Sequence, residues 1–310
     1  MRQRIVSDQV HTNSMTKPTA TIAVIAALAC AAGAYYWAHG LGAFGRVSKA
    51  AQPALAAPAF ATTDKAAASS AARTPSRTVE PGDRIAPSDA GTPLHAGEVL
   101  EFSADVAKLN NVANLRLQIV DRRNFFGKNA WHLQAFARTE NPLRMVFELD
   151  DQFDSYSDAA TLSSLQYEMH LNERGEKQES IQRMTTTGTE RATASVTQTR
   201  VLPGTRDPLG LMQYLRTVDW AKTHEVRGPV YDGHKLYEVS ARLDGSVQNI
   251  TVAAGSFSAS KIEIRVFDAG AELKDAHFAL YLANDDARTP VLLEAVMPFA
   301  TARVALVKMK

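Results

Sequence analysis

A single cysteine, Cys30, stands among 310 residues, which excludes an intrachain disulfide, a cysteine cluster for zinc and a CxxC redox pair. The folded part is held by its core. Also missing are GxSxG, HExxH, a P-loop and a GxGxxG following a strand, so the chain offers no nucleophile elbow, zincin helix or phosphate cradle. Positive charge is not in excess either: from Gly97 onward 25 Lys and Arg face 28 Asp and Glu, a net of −3. Nothing there attracts a polyanion, and no nucleic-acid partner is expected.

Charge of either sign is absent from Pro18 to Gly45, a stretch preceded by Arg2, Arg4 and Lys17 with only Asp8 opposing them. A basic start followed by an apolar run directs export. Thr19 to Ala38 reaches spanning length for a helix, and Tyr35, Tyr36 and Trp37 close it where aromatic rings sit at a membrane interface. A retained inner-membrane anchor ranks first, with a cytoplasmic N-terminus over residues 1–18 and the span over 19–38. A cleaved signal, cut near Ala54-Leu55-Ala56, ranks second. Lipidation at Cys30 ranks last, because a lipobox wants a larger aliphatic residue where Ala27 stands. Residues 39–96, rich in Ala, Pro, Ser and Thr, read as a disordered tether.

From Gly97 the pattern turns to period two. Leu115, Leu117 and Ile119 alternate with Arg116 and Gln118; Met145, Phe147 and Leu149 follow, as do Ile262, Ile264 and Val266, then Phe278, Leu280 and Leu282. These are half-buried strands. Turn material separates them, at Leu109-Asn110-Asn111, Glu173-Arg174-Gly175, Asp232-Gly233-His234, Asp244-Gly245-Ser246 and Asn284-Asp285-Asp286. The expected architecture over 97–310 is mainly β: a large curved antiparallel sheet, a half-open barrel or a sandwich, of roughly a dozen strands. One helix is expected over about 207–218, where Leu209, Leu211, Met212, Leu215 and Val218 recur at helical spacing behind Asp207 as cap and Pro208.

Candidate chemistry is sparse. Asp150, Asp151, Asp154 and Asp158 crowd LDDQFDSYSD, but the spacing, central glycine and closing glutamate of an EF-hand are missing. Capping of turns and blunting of strand ends by these side chains is the stronger reading. The histidines, His132 among them, stand singly, and neither a metal site nor a cofactor is expected.

In order, GEVLEFSADV from Gly97, FELDDQFDSYSDAATLSSLQYEMHLNERG from Phe147, DPLGLMQYLR from Asp207, GHKLYEVSARLDG from Gly233, AGSFSASKIEI from Ala254 and YLANDDARTPVLLEAVMPFATARVALVKM from Tyr281 resemble a bacterial exported family known as domain of unknown function 3108. The resemblance implies an exported antiparallel β domain in the envelope without an established reaction. Phe102 falls where the family carries an aromatic residue, and Tyr214 and Arg216 match its helix signature.

The first functional expectation is a non-enzymatic envelope protein whose β concavity holds a lipid, an acyl chain or a hydrophobic partner segment. A fully packed domain with a structural or docking role is the alternative. An enzyme, perhaps a hydrolase using Asp151, Asp154 or Asp158 with Arg216, is the third and weakest.

Overall fold

A computed structural model describes residues 92–187, 191–192, 195–274, 277–297 and 300–310. The anchor, Cys30 and nearly all of the tether lie outside the described residues. Among the described residues fifteen strands form one sheet. The first eight are β1 (Val99–Val106), β2 (Leu109–Phe125), β3 (Lys128–Thr139), β4 (Asp150–Asp158), β5 (Ser164–Glu173), β6 (Glu176–Thr185), β7 (Arg191–Ala192) and β8 (Thr197–Arg200). After the helix α1 (Pro208–Thr217) come β9 (Glu225–Tyr231), β10 (Leu236–Val252), β11 (Gly255–Asp268), β12 (Ala271–Glu272), β13 (His277–Ala283), β14 (Pro290–Met297) and β15 (Ala300–Met309). The spatial order is β7-β8-β6-β5-β4-β3-β2-β1-β15-β14-β13-β11-β10-β9, with β12 on β11. Among these strands only β6 and β8 pair in parallel.

Alternation builds the inner face. On β1, Leu100, Phe102, Ala104 and Val106 are buried while Glu101, Ser103 and Asp105 face outward; on β15, Ala302, Val304 and Leu306 do the same. Each large side chain so covered contributes about 1.5–3 kcal/mol. Leu94, just ahead of β1, joins this core at 1% exposure.

The sheet curls because its longest strands are bulged. Register shifts fall between Ile119 and Asp121 in β2 and between Leu243 and Val247 in β10, and a bulge sharpens twist locally. The second corrects the sequence reading: Asp244-Gly245-Ser246 is no turn but a bulge inside β10, with Gly245 at φ +75°. Two further corrections follow. Asn110 and Asn111 already belong to β2, the reversal lying at Ala107 and Lys108. Met145 to Glu148 is not a strand but the end of a 3-10 turn over Leu143–Met145 and a loop, and Leu149 makes only an isolated antiparallel bridge to Glu173. Met145 is 81% exposed there, and Arg144 ties the loop to Asp150, so tertiary contacts override a local period.

Closure is asymmetric. β6 pairs with β5 from Gln166 to Glu173, but at Ser164 its place is taken by the segment before α1: Ser164 N donates to Thr205 O (2.9 Å), Arg206 N to Pro229 O (3.1 Å) and Tyr231 N to Arg206 O (2.8 Å). Two residues thus bridge β5 to β9 and bend the sheet into a nearly closed barrel, while β6 and β8 continue past it without a fully buried side chain.

Helix α1 lies inside this curl, with Leu209, Leu211, Gln213, Leu215 and Arg216 all buried. Asp207 caps it, accepting from Gly210 N at 2.8 Å. Gly210 is required by proximity: a Cβ there would stand 3.0 Å from the Leu162 carbonyl oxygen and 3.0 Å from Ser157 Oγ. Gly210→Ala is expected to lower stability by about 1–3 kcal/mol, although alanine favours helices by about 1 kcal/mol. A raised urea midpoint for this variant would show that the helix start is not pressed against the sheet.

Candidate functional site

The three aspartates singled out from the sequence go to three different places. Period two explains it: positions 151 and 154 have opposite parity and face opposite sides of β4. Asp151 points inward and accepts from Asn172 N at 2.9 Å; burial pushes its carboxyl up to about 7, with Glu173 and Asp150 adding repulsion. Asp154 points outward. Asp158 closes the strand and accepts from Ala160 N, Thr161 N and Thr161 Oγ1, a turn cap. The acidic stretch is itself strand β4 rather than a set of strand-end blunters, and Asp158 alone does the capping foreseen for all.

Asp154 has a partner that sequence reading left single. His132 Nε2 lies 2.7 Å from Asp154 Oδ1, Gln134 donates to the same oxygen and Gln152 to Oδ2. Burial pushes this carboxyl up, but the hydrogen bonds outweigh it and hold Asp154 below the usual range. The His132 ring stacks on Tyr156 (4.7 Å between centroids), which stacks on Phe125 (4.1 Å). Asp121 and Arg123 pair beside this column. The signal that finds the pair is strand register, since Gln134 faces Asp154 and His132 faces Tyr156 across β3 and β4; 22 residues of separation hide it. His132 is 7% exposed and Asp154 5%, so the pair is enclosed.

Tyr214 and Arg216, picked from the helix, have separate sets of partners. The Arg206 guanidinium lies 3.5 Å above the Tyr214 ring and donates to Thr161 O. Asp207, fully enclosed, accepts from Ser155 (2.5 Å) and Ser164 hydroxyls; burial raises its carboxyl and those bonds partly offset it. Arg216 is 0% exposed. It grips Glu98 through both Nη atoms (2.7 and 2.8 Å), Gln213 Oε1, the Ala287 carbonyl and the Pro93 carbonyl. Arg288 in turn donates to the Arg216 and Val218 carbonyls, filling the orphaned acceptors of the helix end.

Space beside α1 is narrow. Between α1 and the sheet lie cavities of about 20 Å³, among Leu117, Leu133, Met212 and Leu293, and about 10 Å³, among Leu211, Tyr214 and Val239. A groove of about 400 Å³ opens at the mouth instead, lined by Trp220, Leu243, Ser260, Leu282, Asn284 and Arg288 with Asp219 and Asp285. Among the described residues no group of three or more His, Cys, Asp or Glu is placed to hold a metal, and no helix is long and apolar enough to cross a membrane.

Among the described residues, a curved β-sheet wrapped around a buried helix defines the class of domain. The chain belongs to the family described as protein of unknown function, DUF3108, which matches residues 101–307. Among solved structures it is similar to a β-barrel-like protein of domain of unknown function DUF1849 from Brucella abortus, at 13% identity and TM-score 0.49, covering 69% of this chain and 97% of that one. It is also similar to a protein of Parabacteroides distasonis described as a lipoprotein (12% identity, TM-score 0.33, 71% and 97% covered). A third is from Bacteroides fragilis, described as an exported protein with a YmcC-like fold (11%, 0.29, 71% and 98%). No curated protein matches the chain.

Proposed function

We propose that the chain is a non-enzymatic protein of the bacterial cell envelope that works through its outer surface, as a docking domain. The observation that carries this reading is the narrow space beside α1: cavities of about 20 and 10 Å³ hold no acyl chain, because about 10–15 Å³ of such space accommodates no more than one water. Envelope location rests on the basic start and uncharged run at the N-terminus. The absence of enzymatic chemistry rests on the dispersal of Asp151, Asp154 and Asp158 and on the enclosure of the His132 and Asp154 pair. The mouth groove, with polar and apolar lining mixed, suits a segment of polypeptide better than a hydrocarbon tail.

The second reading, a carrier of a lipid, an acyl chain or a hydrophobic partner segment, is favoured by the continuous apolar lining of the curl, and it requires α1 to leave. Titration of cis-parinaric acid into the purified protein decides between them. The docking reading expects no saturable fluorescence gain; saturation at one probe per chain would return the carrier reading.

A further inference from the structure

Four enclosed side-chain atoms among the described residues have no hydrogen-bond partner within the protein: His132 Nδ1, Tyr167 OH, Arg206 Nε and Asp232 Oδ2. Three of the four lie along one line, where β9 and the turn after it meet β5. Arg206 is the bridging residue itself. Asp232 follows β9 directly, and its Oδ1 is spent on His234 N and Lys235 N. Tyr167, 0% exposed, stands against that turn: a Cβ on Gly233 would lie 3.5 Å from its ring and 2.5 Å from Met169. Burial and the nearby Asp207, Asp232 and Asp151 carboxylates all press on its hydroxyl. Elsewhere the sheet is an unbroken ladder from β5 through β1 and β15 to β9. At this line three backbone hydrogen bonds close it, all through residues 205 and 206.

Orphaned polar groups in a native fold mark places where the closed form is least favoured, since hydration satisfies them the moment the site opens. Local opening follows the line of fewest bonds and worst-satisfied groups. We propose that the domain opens along this seam, with Thr205 and Arg206 as its latch, by swinging β9 and the turn at Asp232 to Lys235 off β5 while the remaining ladder stays paired. The latch is held from above by the Arg206 stack on Tyr214 and its bond to Thr161 O, so the same motion loosens the start of α1. Charged Glu225 and Arg227 and the donorless Pro229 line the exposed strand, a composition that resists strand addition by another chain. Opening therefore hydrates the seam without inviting aggregation. The inference stands apart from the docking reading.

Hydrogen exchange of the full chain tests it. Amides of residues 204–207, 225–228 and 230–234 are expected to exchange at least ten-fold faster than those of β14 and β15. An edge strand could fray without any special seam, so a variant is needed as well. Tyr167→Phe removes one orphaned hydroxyl with no change of shape, and should slow seam exchange several-fold while leaving its fold intact. Equal protection of seam and β14, or seam exchange that Tyr167→Phe leaves unchanged or accelerates, overturns the proposal.

Discussion

Arg216→Met lowers the unfolding free energy by about 3–5 kcal/mol, because breaking a buried ion pair strands the partner charge. Here the stranded groups are the Glu98 carboxylate, whose side chain is 12% exposed, and the Ala287 and Pro93 carbonyls. The guanidinium joins three separate pieces: the entry to β1, the turn between β13 and β14, and the last turn of α1. Lysine keeps the charge but not the fork, so Arg216→Lys is expected to recover less than half of the loss. Pairing Arg216→Met with Glu98→Gln should regain part of it, as removing both charges leaves none uncompensated. Urea unfolding measures all three; a loss below about 1 kcal/mol for Arg216→Met would mean the clamp is not formed.

The second large effect is one of pH. Asp151 is raised by burial to about 7 from an unfolded value near ~3.9, so folding takes up a proton between those limits. Its contribution is fully present below about pH 4 and is lost as pH rises through 7. Asn keeps the acceptor for Asn172 N and cannot ionise. The stability of Asp151→Asn relative to the native chain should therefore be flat below pH 4, climb between 4 and 7 by about 2–4 kcal/mol, and level off above. Matched melts at pH 4, 6 and 8 read this. A difference that does not change with pH would place Asp151 in water.

Much of this fold could be read in the sequence, because alternation along β2, β11 and β13 depends only on which face each residue presents. The same holds for α1, whose cap at Asp207 and proline at 208 mark its start before any packing is considered. What stayed hidden depends on pairing. A bulge at Gly245 and a turn have the same glycine, and only the partner strand distinguishes them. The interior nest of Asp207 with Ser155 and Ser164 joins residues 52 and 43 positions apart. The pairing of His132 with Asp154 is equally invisible without register. Even the interior could not be judged empty or full from period two: that depends on α1 lying within the curl, whereas its apolar stripe would equally suit the outside of a sheet.

That placement of α1 is the central claim, and thiol accessibility tests it most directly. With Cys30→Ala as background, a cysteine at Leu215, 1% exposed in the last half of α1, is compared with one at Val146, 56% exposed in the loop before β4. Under native conditions the account predicts that maleimide modifies position 146 at the rate of a free thiol, and position 215 only as fast as the protein opens. Comparable rates at the two positions, in a variant whose circular dichroism is unchanged, would mean that the helix does not fill the sheet.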